Sequence, residues 1–147
     1  MPTLNRDELS SFLPHAGAMR LIDGVESWDE VTIRCRAQSH RDGANPLRAH
    51  GRLDAVTGLE YAAQVMGVHV GLLAGAQSAN PSIGFVGGLR DVAFGRDYLD
   101  DCLEDLVIDA TQLFADDRSF LYQFVISSGE QMVLKGRASI FLQQAPV

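Results

Sequence analysis

Three side chains in this sequence have the chemistry required for general acid–base catalysis: Glu60, His15 and His50. An imidazole titrates near neutral pH and suits a base, whereas a carboxyl group suits an acid when burial raises its pKa. Glu60 lies in an apolar segment with no cation three or four residues later to pair with it. Burying a carboxylate without a partner is costly, which favours an active-site role. The structural alternative is a first-turn carboxylate stabilised by a helix N-terminus.

The histidines have simpler interpretations beside a catalytic one. His15 lies in an N-terminal loop and His50 shortly before the segment that carries Glu60, so an exposed surface histidine is possible at each position. His40 and His69 belong to no motif. His69 lies between apolar residues and is typical of a core or interface histidine.

Other classes of chemistry have little support in the sequence. No set of His, Cys, Asp and Glu has metal-ligand spacing, and we expect neither a metal nor a cofactor. The glycine pair Gly87-Gly88 lies within a strand pattern and does not form a phosphate loop. Cys35 and Cys102 lack a CxxC spacing, and we interpret them as buried thiols in a reducing compartment.

Length and charge limit the classes of protein further. A chain of 147 residues, 46% of them hydrophobic, suits a single domain over residues 1–147. The net charge of 12 − 19 = −7 argues against a nucleic-acid partner. No apolar stretch follows a basic N-terminus, and the longest one, Val65 to Ala76, is too short to span a bilayer. We therefore expect a cytoplasmic protein without a membrane span.

The elements that position these residues follow from hydrophobic periodicity. Residues 54–75 predict one long helix, with Asp54 as N-cap and Gly75 at its end. This helix is apolar or small nearly all round, so it should be largely buried. A long loop is predicted over 39–53. The predicted strands are 18–28, 31–38, 83–95, 105–115, 119–128 and 131–142.

A helix that is apolar nearly all round needs a sheet curved about it, because a flat sheet covers only one side. The order of elements is two strands, a loop, the helix and about four strands. This order predicts the hot-dog fold of the α+β class, an antiparallel sheet of five to six strands wrapped around one long central helix.

Three segments then show a family resemblance. LPHAGAMRLIDGV at 13–25 resembles the opening segment of the 3-hydroxyacyl-acyl carrier protein dehydratases, and GLEYAAQVMGVHVGLLAG at 58–75 resembles their central helix. IGFVGGLRDVAF at 83–94 looks like a strand of the subgroup from aryl polyene pigment clusters. The typical Gly-His-Phe-Pro loop is not matched, since His50 is followed by Gly51-Arg52. The aryl polyene subgroup retains the histidine of the Leu-Pro-His motif, which is His15 here.

The resemblance implies dehydration of a 3-hydroxyacyl thioester to the trans-2-enoyl thioester, in polyene or fatty-acid-like biosynthesis. A base takes the C2 proton, an acid helps the C3 hydroxyl leave, and a donor holds the thioester oxygen. The substrate-binding candidates are Gln64, Gly58, Leu59 and Gly87. A structural hydrogen bond is the alternative for Gln64, and close packing is the alternative for Gly58.

The resemblance also implies partners. The acyl chain is expected on the phosphopantetheine of an acyl carrier protein, and the tunnel between two subunits of a homodimer or of a heterodimer with a related hot-dog subunit. The cations that could form a basic rim for the carrier are Arg48, Arg52, Arg90 and Arg96. Two alternatives stay open: a hot-dog acyl thioesterase, and a non-catalytic subunit that completes the tunnel of a partner dehydratase.

Overall fold

A computed structural model describes residues 3–12, 19–75 and 83–143 of the chain. The elements are α1 (Arg6–Leu9), β1 (Gly24–Trp28), β2 (Thr32–Ala37), α2 (Gly58–Ala74), β3 (Ile83–Phe94), β4 (Leu106–Ala115), β5 (Ser119–Ser128) and β6 (Gln131–Gln143). The six strands form one sheet in the order β1-β2-β4-β5-β6-β3, and every neighbouring pair is antiparallel. This architecture confirms the predicted α+β hot-dog fold.

Helix α2 lies on the inner face of the sheet because its apolar residues pack against the inward-facing side chains of the strands. Alternate residues of β4 and β5 point inwards, as the period of two requires. The buried residues of α2 are Gly58, Tyr61, Ala62, Gln64, Val65, Met66, Val68 and His69. The largest buried side chains opposite the helix include those of Ile108, Tyr122 and Phe124.

Two boundaries differ by more than one residue from those predicted. Strand β1 begins at Gly24, because Leu21 and Ile22 are both fully buried and adjacent strand residues cannot face the same side. Helix α2 begins at Gly58. Asp54 caps a preceding 3₁₀ turn, Ala55–Thr57, where its side chain accepts a 2.9 Å hydrogen bond from the backbone N–H of Val56.

Helix α1 was not predicted, although the sequence carries its signal. The Asn5 side chain accepts from the backbone N–H of Glu8 at 3.0 Å, and the Glu8 carboxylate accepts from the Asn5 N–H at 3.3 Å. This reciprocal pair is a capping box. The preceding Leu4 exchanges backbone hydrogen bonds with Val25 and thereby covers the outer edge of β1.

The predicted loop over 39–53 is long but well anchored. The buried His40 Nε2 lies 3.1 Å from the carbonyl oxygen of Cys102 and 3.0 Å from that of Glu104, so this nitrogen carries the proton and donates. Arg41 donates to the carbonyl of Leu103 and to the carboxylate of Asp105. These contacts fix the loop against the segment that enters β4.

A buried polar network connects α2 with the turn between β1 and β2 and with strands β4 and β5. His69 Nε2 lies 2.8 Å from the carbonyl oxygen of Asp29, which can only accept, so this nitrogen donates. His69 Nδ1 therefore accepts from the Tyr122 hydroxyl at 2.6 Å, and that hydroxyl accepts from Gln112 Nε2 at 3.0 Å. Burial lowers the pKa of His69 and raises the pKa of Tyr122 to about 12.

The two buried histidines, His69 and His40, predict that the stability of the fold depends on pH. His69 and His40 both have a pKa held below the ordinary value of 6.5 by burial. Above pH 6.5 these histidines are neutral in the folded and unfolded states, so their full stabilisation is present. Below it the unfolded chain binds the protons first, and the free energy of unfolding falls until the lowered folded pKa is reached.

The measurement is urea denaturation at intervals between pH 7.5 and 5.5. Carboxylates with lowered pKa, such as Asp29, respond only around and below their ordinary value of 3.8 and leave this window unaffected. A stability that stays constant across the window would contradict the prediction.

Candidate active site

Glu60 occupies the third position of α2, where its side chain is half-buried. It lies in the first turn, so the partial positive charge of the helix N-terminus acts on its carboxylate. Gln64 follows one turn later on the same side of the helix, and the half-buried Leu59 precedes it. The structure thus places Glu60 at the border between the buried and the accessible surface of α2.

Gln64 acts as a clamp between α2 and the chain that leads into β1. Its Nε2 donates to the carbonyl oxygen of Met19 at 2.8 Å, and its Oε1 accepts from the backbone N–H of Leu21 at 3.0 Å. The side chain is only 2% exposed. These contacts match the structural alternative for Gln64, and they tie residues 19–21 to the helix one turn away from Glu60.

Gly58 faces the sheet. A Cβ at this position would lie 2.8 Å from Cδ2 of Leu134 and 3.3 Å from Cδ1 of Ile126, so any larger residue would force these buried side chains to shift. The backbone N–H groups of Thr57 and Gly58 donate within the 3₁₀ turn, to the carbonyls of Asp54 and of Ala55 and Val56 respectively. The geometry therefore favours a packing role for Gly58.

Gly87 lies on β3, at an irregularity in the pairing with β6 between Val86 and Gly88. A Cβ at Gly87 would collide with the aromatic ring of Phe141. The need for space beside this ring is a packing explanation for the glycine, and the substrate-binding role of Gly87 stays a prediction.

The two histidine candidates differ in what the structure describes. His50 is exposed at the tip of a two-residue turn, in which Ala49 and Arg52 exchange backbone hydrogen bonds of 2.8 and 3.0 Å. The φ angles of His50 and Gly51 are +54° and +77°, so both central residues are left-handed. His15 lies outside the described residues, and its role as the base stays a prediction.

Three of the four cations expected to form a basic rim are engaged within the chain. Arg52 forms a 2.9 Å ion pair with Asp100 and stacks on the ring of Tyr98. Arg96 forms a 2.7 Å ion pair with Asp101. Arg48 donates to the carbonyl oxygens of His40, Asp42 and Gly51. Of the four, only Arg90 makes neither an ion pair nor a side-chain hydrogen bond with any described residue.

Two surface depressions lie elsewhere on the molecule. One is lined by the turn from Asp116 to Arg118, and the other by residues around Arg6 and Arg41. Neither includes Glu60.

Over residues 3–12, 19–75 and 83–143, no group of three or more His, Cys, Asp or Glu side chains is placed to hold a metal ion. No helix of this described part is long and apolar enough to cross a bilayer.

Solved structures share this fold over nearly the whole chain. A dehydratase heterocomplex, ApeI:P from Xenorhabdus doucetiae, matches with a TM-score of 0.82 at 23% identity, over 92% of this chain and 91% of that chain. A putative thioesterase from Silicibacter sp. matches with a TM-score of 0.67 at 14% identity, over 96% and 93%. A mutant thioesterase from Pseudomonas aeruginosa matches with a TM-score of 0.62 at 11% identity, over 92% and 91%.

These likenesses define the class as hot-dog proteins, which include both dehydratases and thioesterases. The family model for ApeP-like proteins, described as ApeP dehydratase, matches residues 7–146. The chain therefore belongs to the ApeP-like dehydratase family. Among curated proteins, none matches the chain in sequence.

The packing role of Gly58 predicts a contrast between two glycines of α2. Gly58→Ala should lower the free energy of unfolding by about 1–3 kcal/mol, because the added methyl group overpacks the contact with Leu134. Gly67→Ala serves as the matched control: a Cβ there meets nothing within 4 Å. It should raise stability by about 0.5–1 kcal/mol through helix propensity. Urea denaturation of both variants tests the contrast, and equal effects would contradict it.

Proposed function

We propose that this chain dehydrates a 3-hydroxyacyl thioester on an acyl carrier protein to the trans-2-enoyl thioester, in polyene or fatty-acid-like biosynthesis in the cytoplasm. The observation that carries the proposal is the half-buried Glu60 in the first turn of α2, in a chain of a dehydratase family. An accessible carboxyl group at the start of the central helix can reach a substrate that lies along the uncovered side of that helix.

The proposed chemistry assigns one proton transfer to each catalytic group. An imidazole takes the proton from C2 of the acyl chain, and the C3–O bond breaks as the C2=C3 double bond forms. Glu60 gives its proton to the departing hydroxyl, so the products are water and the enoyl thioester. Transfer of the C2 proton from the imidazole back to Glu60, directly or through water, restores both groups.

We propose His15 as the base. Gln64 ties Met19 to α2 one turn from Glu60, and His15 lies four residues before Met19. Four residues of chain span at most about 14 Å, a length that permits His15 to reach this part of the helix. The imidazole of His50, by contrast, is exposed at the tip of a turn.

A second hot-dog subunit is proposed to complete the site. Strand β3 is an edge of the sheet, 12 residues long, and pairs only with β6 among the described strands. Its inward-facing apolar residues Val86, Leu89 and Phe94 are 38%, 44% and 49% exposed. A long edge strand with exposed apolar side chains is a surface for strand pairing. The relative from Xenorhabdus doucetiae is itself a dehydratase heterocomplex, which supports a related hot-dog subunit as the partner.

The catalytic prediction concerns Glu60. Glu60→Gln preserves the shape of the side chain but removes the acid, so we expect enoyl-thioester formation to fall by about 10²–10⁴-fold with the fold intact. The measurement is mass analysis of a 3-hydroxyacyl thioester on carrier protein, with the chain supplied in whichever assembly is active. Glu30→Gln, in the exposed turn between β1 and β2, is the matched control and should retain activity.

The same assay separates the alternatives. His15→Gln should lose activity and His50→Gln should retain it; the reverse result would assign the base to His50. Release of free acid would identify a thioesterase. A partner subunit that is equally active with the Glu60→Gln chain would show that this chain completes the tunnel without catalysing, and would refute the proposal.

The subunit prediction concerns β3. Leu89→Glu places a charge on the exposed apolar edge and should shift the assembly from dimer to monomer, because a buried unpaired charge opposes association. Light scattering of the chain alone, and mixed with a related hot-dog subunit encoded beside it, measures the mass. Leu103→Glu is the control, since Leu103 is 88% exposed in the segment before β4. A dimer that persists in Leu89→Glu would contradict an interface at β3.

A further inference from the structure

Three exposed cations share one patch on the outer face of the sheet. Arg90 on β3 lies directly opposite Arg137 on β6, and Lys135 lies two residues before Arg137 on the same strand. The residues that alternate with them on β6, Leu134, Gly136 and Ala138, are buried on the inner face. The period of two therefore turns all three cations outwards. We call this group the basic patch.

The basic patch differs from the cations elsewhere on the same face. Arg34 forms a bidentate ion pair with Asp109, at 2.7 and 3.1 Å, and Arg36 forms a 2.7 Å ion pair with Glu26. The cations of the basic patch make no ion pair with any described residue. The remaining residues of the chain include no Asp or Glu that could supply one.

The sheet alone does not explain this arrangement. Like charges directly opposite each other on antiparallel strands are destabilising, as Arg90 and Arg137 are here. The chain has 19 acidic side chains for 12 basic ones, so carboxylates to neutralise the patch are abundant. No described carboxylate forms an ion pair with the patch, although Asp91 follows Arg90 on β3 and two cations of β2 on the same face are paired. An attraction to an external group would offset the repulsion.

The surroundings of the basic patch fit a protein surface. Phe141 lies four residues after Arg137 on the same face of β6 and is 41% exposed. Arginine beside an exposed aromatic ring is typical of protein interfaces. The patch also adjoins β3, the edge at which a second subunit is proposed, so a partner bound there would lie beside the interface that completes the site.

We infer that Arg90, Lys135 and Arg137 form the docking surface for the acidic carrier protein that presents the acyl substrate, an inference that rests on the proposed function. A chain of net charge −7 repels an acidic protein over most of its surface. Local unpaired cations reverse the sign of the field at one place, which orients the encounter and raises the association rate. The other arginines expected in this role already form ion pairs or hydrogen bonds within the chain.

The experiment reverses the charge of the basic patch. In the active assembly, the triple variant Arg90→Glu, Lys135→Glu, Arg137→Glu should weaken binding of a fluorescently labelled acyl carrier protein by roughly tenfold or more. The binding that remains should depend less on salt concentration. The KM for the carrier-bound 3-hydroxyacyl thioester should rise in parallel, while turnover of the same acyl group on free pantetheine stays unchanged.

Arg118→Glu is the matched control. Arg118 is exposed in the turn between β4 and β5 and makes no ion pair with a described residue. Its substitution reverses one charge, as each substitution of the triple variant does. It should leave carrier binding within about twofold of the unaltered protein, since an isolated exposed charge contributes little. Circular dichroism and thermal unfolding establish that both variants fold.

The outcomes distinguish the inference from the proposed function. Unchanged carrier binding in the triple variant would overturn the docking surface, even if dehydration is observed. Loss of binding in the variant would support the docking surface, whether or not the unaltered protein dehydrates the pantetheine thioester; the proposed function is decided by that turnover alone. Unchanged carrier binding together with lost binding to phosphatidylglycerol vesicles would assign the patch to a membrane surface instead.

Discussion

The structure depends on one constraint: helix α2 is apolar around more of its circumference than its own sheet can cover. The sheet buries the side that carries Gly58, Val65 and Val68. Leu59, Ala63, Gly67 and Val70, on another side, are only half-buried, and a Cβ at Gly67 would meet nothing within 4 Å. Exposed apolar surface of this extent favours association. The inward-facing apolar residues of β3 present a second uncovered surface on the same side of the sheet, so one partner could cover both.

Polar contacts determine how α2 is held in this position. Apolar packing alone tolerates a rotation or shift of a helix, whereas a buried polar group must meet a particular partner. Gln64 binds the chain at Met19 and Leu21, and His69 binds Asp29 and Tyr122. These two residues lie five positions apart and point to different sides of the helix. Together they fix the rotation of α2 and its position along its own axis. They thereby also fix the position of the Glu60 carboxylate, one turn before Gln64.

The sequence predicts the fold better than the site, for a physical reason. The helix over 54–75 and the strands over 105–142 are set by local periodicity, which the sequence displays directly. The network of His69 is formed by residues 40 and 53 positions away, and the ion pair of Arg52 by one 48 positions away. Local sequence patterns do not predict contacts between positions so far apart. The early strand was predicted too long for the same reason, since the distant Gln64 takes the N–H of Leu21 that a strand would have used.

The binding surface for a charged partner is equally hard to predict from the sequence, because the effect of a cation depends on its neighbours in space. Sequence counts place most arginines in residues 1–90, which suggested that an acidic partner would approach the loop before α2. In the folded chain those arginines are largely neutralised at short range, where an ion pair leaves little field beyond the Debye length of about 10 Å. Two of the three cations that remain unpaired on the sheet belong to the acidic part, residues 91–147. An acidic protein attracts another acidic protein only where its cations locally outnumber its carboxylates, and on β3 and β6 Arg90, Lys135 and Arg137 stand against the one carboxylate of Asp91.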